Sequence, residues 1–67
     1  MKLTVNSDPL EVADGSSLHS LLQQLDKAGR PGIAVAVNGA VVPAAGWPSH
    51  ALHPDDAVLV IQATQGG

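Results

Sequence analysis

The chain has 67 residues, no cysteine, 45% apolar and 13% charged residues, and a formal charge of −3. A chain this short buries only about 60% of the surface its unfolded form exposes, so it builds one thin core and has no room for a separate catalytic domain. The lack of cysteine excludes disulfide staples, thiolate zinc sites, persulfide relays and thiol nucleophiles, and six acidic residues against three basic ones argue against nucleic acid, which selects clustered Lys and Arg.

From Lys2 to Asn6 the chain alternates, with Leu3 and Val5 on one face and Lys2, Thr4 and Asn6 on the other, the period of a half-buried strand. Ser7-Asp8-Pro9 supplies turn chemistry, because Ser and Asp side chains bond local backbone and Pro fixes its own φ. Alternation resumes from Leu10 to Ala13, so the opening predicts a hairpin. After Asp14-Gly15 the period changes: Leu18, Leu21, Leu22, Leu25 and Ala28 form one stripe of an α-helix. Ser16 or Ser17 is placed to cap its first amides, and Gly29 followed by Pro31 is a stop signal.

Ile33-Ala34-Val35-Ala36-Val37 reads as a central strand with small Ala on its second face. Asn38-Gly39 is the commonest pair for a type I′ hairpin turn, and Ala40-Val41-Val42 answers as the partner strand until Pro43. Ala44 to His53, with Gly46, Trp47 and Pro48, reads as a covering loop with room for a helical turn. Asp55-Asp56 turns into a fully apolar strand, Ala57 to Gln62.

The order is therefore ββαβββ in the α+β class. Four leucines on a single helix can cover the Val/Ile face of a sheet. With the first and last strands parallel at its centre, the arrangement is a β-grasp, or ubiquitin-like, fold: a mixed sheet covered on one face by one helix. Residues 1–62 form that domain and residues 63–67 a flexible C-terminal tail ending in Gly-Gly. No apolar run approaches the roughly 20 residues a membrane helix needs, and the Met-Lys-Leu-Thr start lacks the apolar stretch of a signal peptide, so the expected compartment is the cytoplasm, with no membrane partner.

At an average glycine usage of about 7%, two terminal glycines arise by chance in roughly one chain in two hundred. A frayed end is the plain account of any terminus. The pair also has a definite chemical use. Without a Cβ, Gly66 and Gly67 can slide extended into a narrow cleft and leave the α-carboxylate of Gly67 open to attack an activated phosphate. A partner with ATP would make an acyl-adenylate, and a sulfur donor would displace AMP to leave a thiocarboxylate. Such a carrier needs no catalytic side chain, and no phosphate-cradling GxxxxGK[ST] loop is present, so any ATP is the partner's to bind.

The other chemistry-bearing residues weigh towards structure. His50 and His53 sit three apart beside Pro54 with no fixed common face and no completing ligands, so no metal site is expected. His19 falls off the leucine stripe and is expected at the surface. Trp47 reads as a plug for one end of the core whose indole N–H finds a carbonyl, rather than as a ligand stack. Asp55 and Asp56 read as a turn, since neighbouring residues at the start of a strand point to opposite sides. With one helix on one sheet face, the other face is free to dock partners, and alternate positions among Val35, Val37, Val58 and Val60 are the expected contacts.

Val5-Asn6-Ser7, Ser17-Leu18-His19-Ser20-Leu21-Leu22, Ala36-Val37-Asn38-Gly39 ahead of Val41-Val42-Pro43, Trp47, and Asp56-x-Val58 running to Ala63 and the terminal Gly-Gly together resemble the ThiS family, the sulfur carriers of thiamine biosynthesis. The resemblance covers the whole chain. It implies that Gly67 is adenylated by a ThiF-type enzyme, converted to a thiocarboxylate (a 1-thioglycine), and used by thiazole synthase, ThiG, with no resident cofactor. The family usually has Gly-Asp where this chain has Asp55-Asp56, a departure Asp tolerates better than most residues. The tail is shared with the molybdopterin synthase small subunit, with other sulfur carriers and with ubiquitin-like modifiers, and an interaction module with an accidental glycine pair is a further alternative.

Overall fold

A computed structural model describes residues 1–63. Residues 64–67, and with them Gly66 and Gly67, lie outside the described residues. The elements are β1 (Lys2–Val5), β2 (Asp8–Glu11), α1 (Leu18–Gln24), β3 (Ile33–Val37), β4 (Ala40–Val41), a 3₁₀ helix (Ala44–Ser49) and β5 (Ala57–Gln62). One five-stranded sheet has the order β2-β1-β5-β3-β4, with β5 parallel to β1 and antiparallel to β3. This is the expected ββαβββ mixed sheet under one helix.

The opening hairpin turns earlier than its Pro suggests. Asn6 (φ 51°) and Ser7 (φ 72°) both lie in the left-handed region, the two-residue geometry that matches the twist of antiparallel strands. Pro9 consequently falls inside β2 opposite Thr4, where the missing N–H is harmless because β2 is an edge.

Ser17 caps α1 by accepting from the Ser20 N–H at 3.1 Å, and Leu18, Leu21 and Leu22 are buried. The helix stops a turn before Gly29. Asp26 takes φ 58°, and the Arg30 guanidinium holds it there, donating to its carbonyl at 2.5 Å and to its carboxylate at 2.8 Å. Leu25 and Ala28 still pack on the core from beyond the helix.

Asn38 (φ 50°) and Gly39 (φ 85°) make the expected tight turn between β3 and β4. Trp47 is buried in the 3₁₀ helix and donates its indole N–H to the Val42 carbonyl at 2.9 Å, closing one end of the core. The following segment ties to the start of α1: the Leu18 N–H donates to His50 and the Leu52 N–H to Ser16.

Candidate functional site

β5 is the strand on which the site is built, because it lies at the centre of the sheet and leads into the tail. Its start is fixed by a buried carboxylate. Asp55 takes φ 67°, the conformation that glycine would take at no steric cost, while Asp56 is buried. The Asp56 carboxylate accepts from the Asn38 side-chain amide at 2.9 Å and from the His53 backbone N–H at 2.8 Å. Burial by itself pushes the Asp56 carboxyl up, but the hydrogen bonds from His53 and Asn38, with the His53 and His50 imidazoles adding when protonated, hold it below the usual value. Asn38 also accepts from the Ala57 N–H at 2.9 Å, so one side chain joins the β3–β4 turn to the first residue of β5.

A second asparagine clasps β5 further along. Asn6 accepts from the Val60 N–H at 2.8 Å and donates to the Val60 carbonyl at 3.2 Å. The backbone parallel ladder from β1 reaches Val58 through the Asn6 N–H, and the Asn6 side chain extends it by one pair. This clasp was not anticipated. The signal available for it was Asn6 itself, a residue that tolerates the left-handed region, standing directly after an alternating run.

Beyond Gln62 the Ala63 N–H still donates to the Gly32 carbonyl at 2.8 Å. Gly32 has φ 76°, and a Cβ there would stand 3.1 Å from the Ala63 carbonyl oxygen. The β3 side of the sheet therefore holds the chain one residue past the strand, into the span expected to be tail.

The strand's two faces differ sharply. Val35, Val37 and Val58 are buried under α1, and Val60 is half-buried on the same side. This corrects the expectation that Val35, Val37 and Val58 meet partners: the register pairs Val35 with Val60 and Val37 with Val58, so all four point to the helix side, where the first three are buried in the core and Val60 stays half open. The open face has the opposite parity. Ala36 stands opposite both Leu59 and Val41, and Ala34 opposite Ile61, which makes one apolar patch across β4, β3 and β5. Leu59 is 48%, Ile61 53% and Val41 75% exposed.

The remaining candidates are structural. His53 is exposed, and His19 is half-buried instead of lying fully at the surface. Among the described residues no group of three His, Cys, Asp or Glu side chains is placed to hold a metal ion, and no helix is long and apolar enough to cross a membrane.

Three comparisons place the chain among known proteins. The model of the ThiS family matches residues 2–67. The sulfur carrier protein ThiS of Escherichia coli (strain K12) is 34% identical over 67 residues, 100% of this chain and 100% of that protein. The crystal structure of a thiamine biosynthesis protein (ThiS) from Geobacter metallireducens superposes with a TM-score of 0.84 at 30% identity, covering 100% of both chains. An NMR solution structure of a thiamine biosynthesis protein from the same organism superposes at 0.80 with 29% identity, covering 100% of this chain and 88% of that one.

Proposed function

This chain belongs to the ThiS family, and on that premise we propose that Gly67 is the residue through which it works. It is a sulfur carrier of thiamine biosynthesis, a protein acted on by enzymes and not itself an enzyme. The Gly67 carboxylate attacks the α-phosphate of ATP held by a ThiF-type partner, pyrophosphate leaves, and an acyl-adenylate forms. Sulfide from a sulfur donor then attacks the acyl carbon and AMP departs, leaving a thiocarboxylate. Thiazole synthase, ThiG, takes that sulfur for the thiazole ring. Gly66 lets the extended chain pass a narrow channel, since neither terminal residue carries a Cβ. The use of ATP places these steps in the cytoplasm.

The observation that carries this assignment is the Gly66-Gly67 pair at the end of a chain matched to the family through residue 67. Further support comes from the open face of the sheet. Leu59, Ile61, Ala34, Ala36 and Val41 form an apolar patch beside the strand that leads to the tail, and a patch of this kind on a small protein is a docking surface. In place of the buried Val35, Val37 and Val58, these five residues meet the activating enzyme on this face.

Intact-protein mass spectrometry after co-expression with the adenylating enzyme and a sulfur source tests the assignment. One oxygen is replaced by sulfur, and fragmentation maps the change to Gly67. A variant with one uncleavable residue appended after Gly67 shows no such change and fails to support thiamine synthesis in cells lacking the native carrier. Normal thiamine synthesis by that variant would overturn the proposal.

A further inference from the structure

On the helix side of β5, the core is left open where a chain of this size has least apolar surface to spare. Eight hydrophobic residues are only partly buried against the core, and four of them, Val5, Leu10, Leu25 and Val60, converge on a single groove of about 320 Å³. It lies between the β1–β2 hairpin and the chain leaving α1. That volume is at the lower end of the range for a specific binding cleft, about 300 to 1,000 Å³.

The polar groups at its rim are unequal. Both ends of the Asn6 amide are taken by Val60. Of the chain's three cations, Arg30 is paired with Asp26 at 2.8 Å. Lys27, half-buried at the groove, donates at 3.2 Å to the neutral Gln62 side-chain oxygen and makes no ion pair among the described residues. Asp8 also lines the groove, without pairing to Lys27. The groove therefore offers apolar walls and one ammonium with no ion pair among the described residues, with a carboxylate that repels a second negative charge.

Its position ties it to the tail. Gln62, the last residue of β5, lines the groove, and Gly67 follows five positions on. Fully extended, these span at most about 17 Å. An active site that holds Gly67 thus brings its surface against this end of the molecule. The groove and the apolar patch lie on opposite sides of β5, since Val60 faces one and Leu59 and Ile61 the other.

We propose that the groove is a second docking site, in which an apolar side chain flanked by a single carboxylate on the adenylating enzyme seats against Leu10, Leu25 and Val60 with its carboxylate on Lys27. The partner then grips β5 from both sides. This rests on the function proposed above, in which an enzyme takes up the tail.

Titration calorimetry of the purified carrier with its adenylating enzyme, at low and at moderate salt, tests it. Lys27→Glu weakens binding roughly three- to tenfold, the scale of an exposed ion pair reversed to repulsion, and flattens the salt dependence. Lys27→Arg keeps most of the affinity. Gln62→Glu leaves the lysine in place but neutralises it from within, so it weakens binding about threefold while holding or raising the thermal midpoint. A lysine with a merely structural role would show no loss in that variant. Wild-type affinity in both Lys27→Glu and Gln62→Glu, with Leu59→Glu still clearly weakened, overturns the groove and leaves the tail chemistry intact. A wild-type carrier that neither binds nor is adenylated removes both proposals together.

Discussion

The two faces of β3 and β5 are made of the same kinds of residue and have opposite fates. Val35, Val37 and Val58 are at most 6% exposed, whereas Leu59 and Ile61, their neighbours in sequence, stand about half open. Residue type does not decide this. The single helix covers one face, and whatever apolar surface the strand presents on the other stays in water unless a second protein covers it. The inward face is thus what holds this chain together, and the outward face is apolar area that its own folding does not use.

Substitutions separate the two roles, and the largest effect on stability belongs to the inward side. Leu22 is fully buried beneath the sheet, and Leu22→Ala loses about 2 to 5 kcal/mol through lost transfer free energy and the cavity left behind. At roughly 0.05 to 0.15 kcal/mol per residue, a domain of this length has little more than that in total. Urea unfolding followed by the fluorescence of Trp47, the single tryptophan, is expected to show a variant largely unfolded at ambient temperature.

A smaller loss is expected where the β5 start is pinned. Asp56→Ala strands the Asn38 amide and the His53 N–H, a cost of about 1 to 3 kcal/mol. The same carboxylate gives the fold an acid limit. Its folded-state value lies below that of a free aspartate, so the stability it contributes is complete above the ordinary carboxylate range and is lost as the pH falls through the folded value. Urea midpoints measured from about pH 6 down to about pH 2 are expected to fall more steeply for the wild type than for Asp56→Asn, with the gap between them closing at the acid end. A gap that widens on acidification would show that Asp56 is not the group responsible.

How far sequence alone reveals this contrast differs strand by strand. The leucine stripe of α1 and the Asn38-Gly39 turn are legible because each is a local pattern with a local cause. In β3 the answer is also present: Val35 and Val37 alternate with two alanines, and a helix on one face claims the larger side chains. β5 is apolar at five consecutive positions, Ala57 to Ile61, so periodicity cannot orient it. Its parity comes only from pairing with β3, Val35 to Val60 and Val37 to Val58, which is a long-range fact. The Asn6 clasp has the same long-range origin, since it joins residues 54 apart. The early end of α1 is local instead: Asp26 enters the left-handed region, and Arg30, four residues on, bonds its carbonyl and carboxylate. The carrier chemistry proposed for the Gly-Gly pair, by contrast, is argued without the fold, because it needs no tertiary contact.

The smallest effect on stability is expected on the outward face, and there it is the most informative. Leu59 loses little on exposure to a charge that water can solvate, so Leu59→Glu shifts the urea midpoint by no more than about 0.5 kcal/mol. Because Leu59 stands opposite Ala36 on β5, the strand leading to the tail, the same charge buried against an enzyme would be unpaired. Charging a contact buried in this way typically costs about 2 kcal/mol or more in binding, a loss of roughly thirtyfold or greater in affinity. Adenylation rates measured against carrier concentration should therefore show a raised half-saturating concentration with the rate at saturation little changed, because the carboxylate of Gly67 is untouched. A fall in the saturating rate at unaltered affinity would instead mean that the patch positions the tail rather than docking the enzyme.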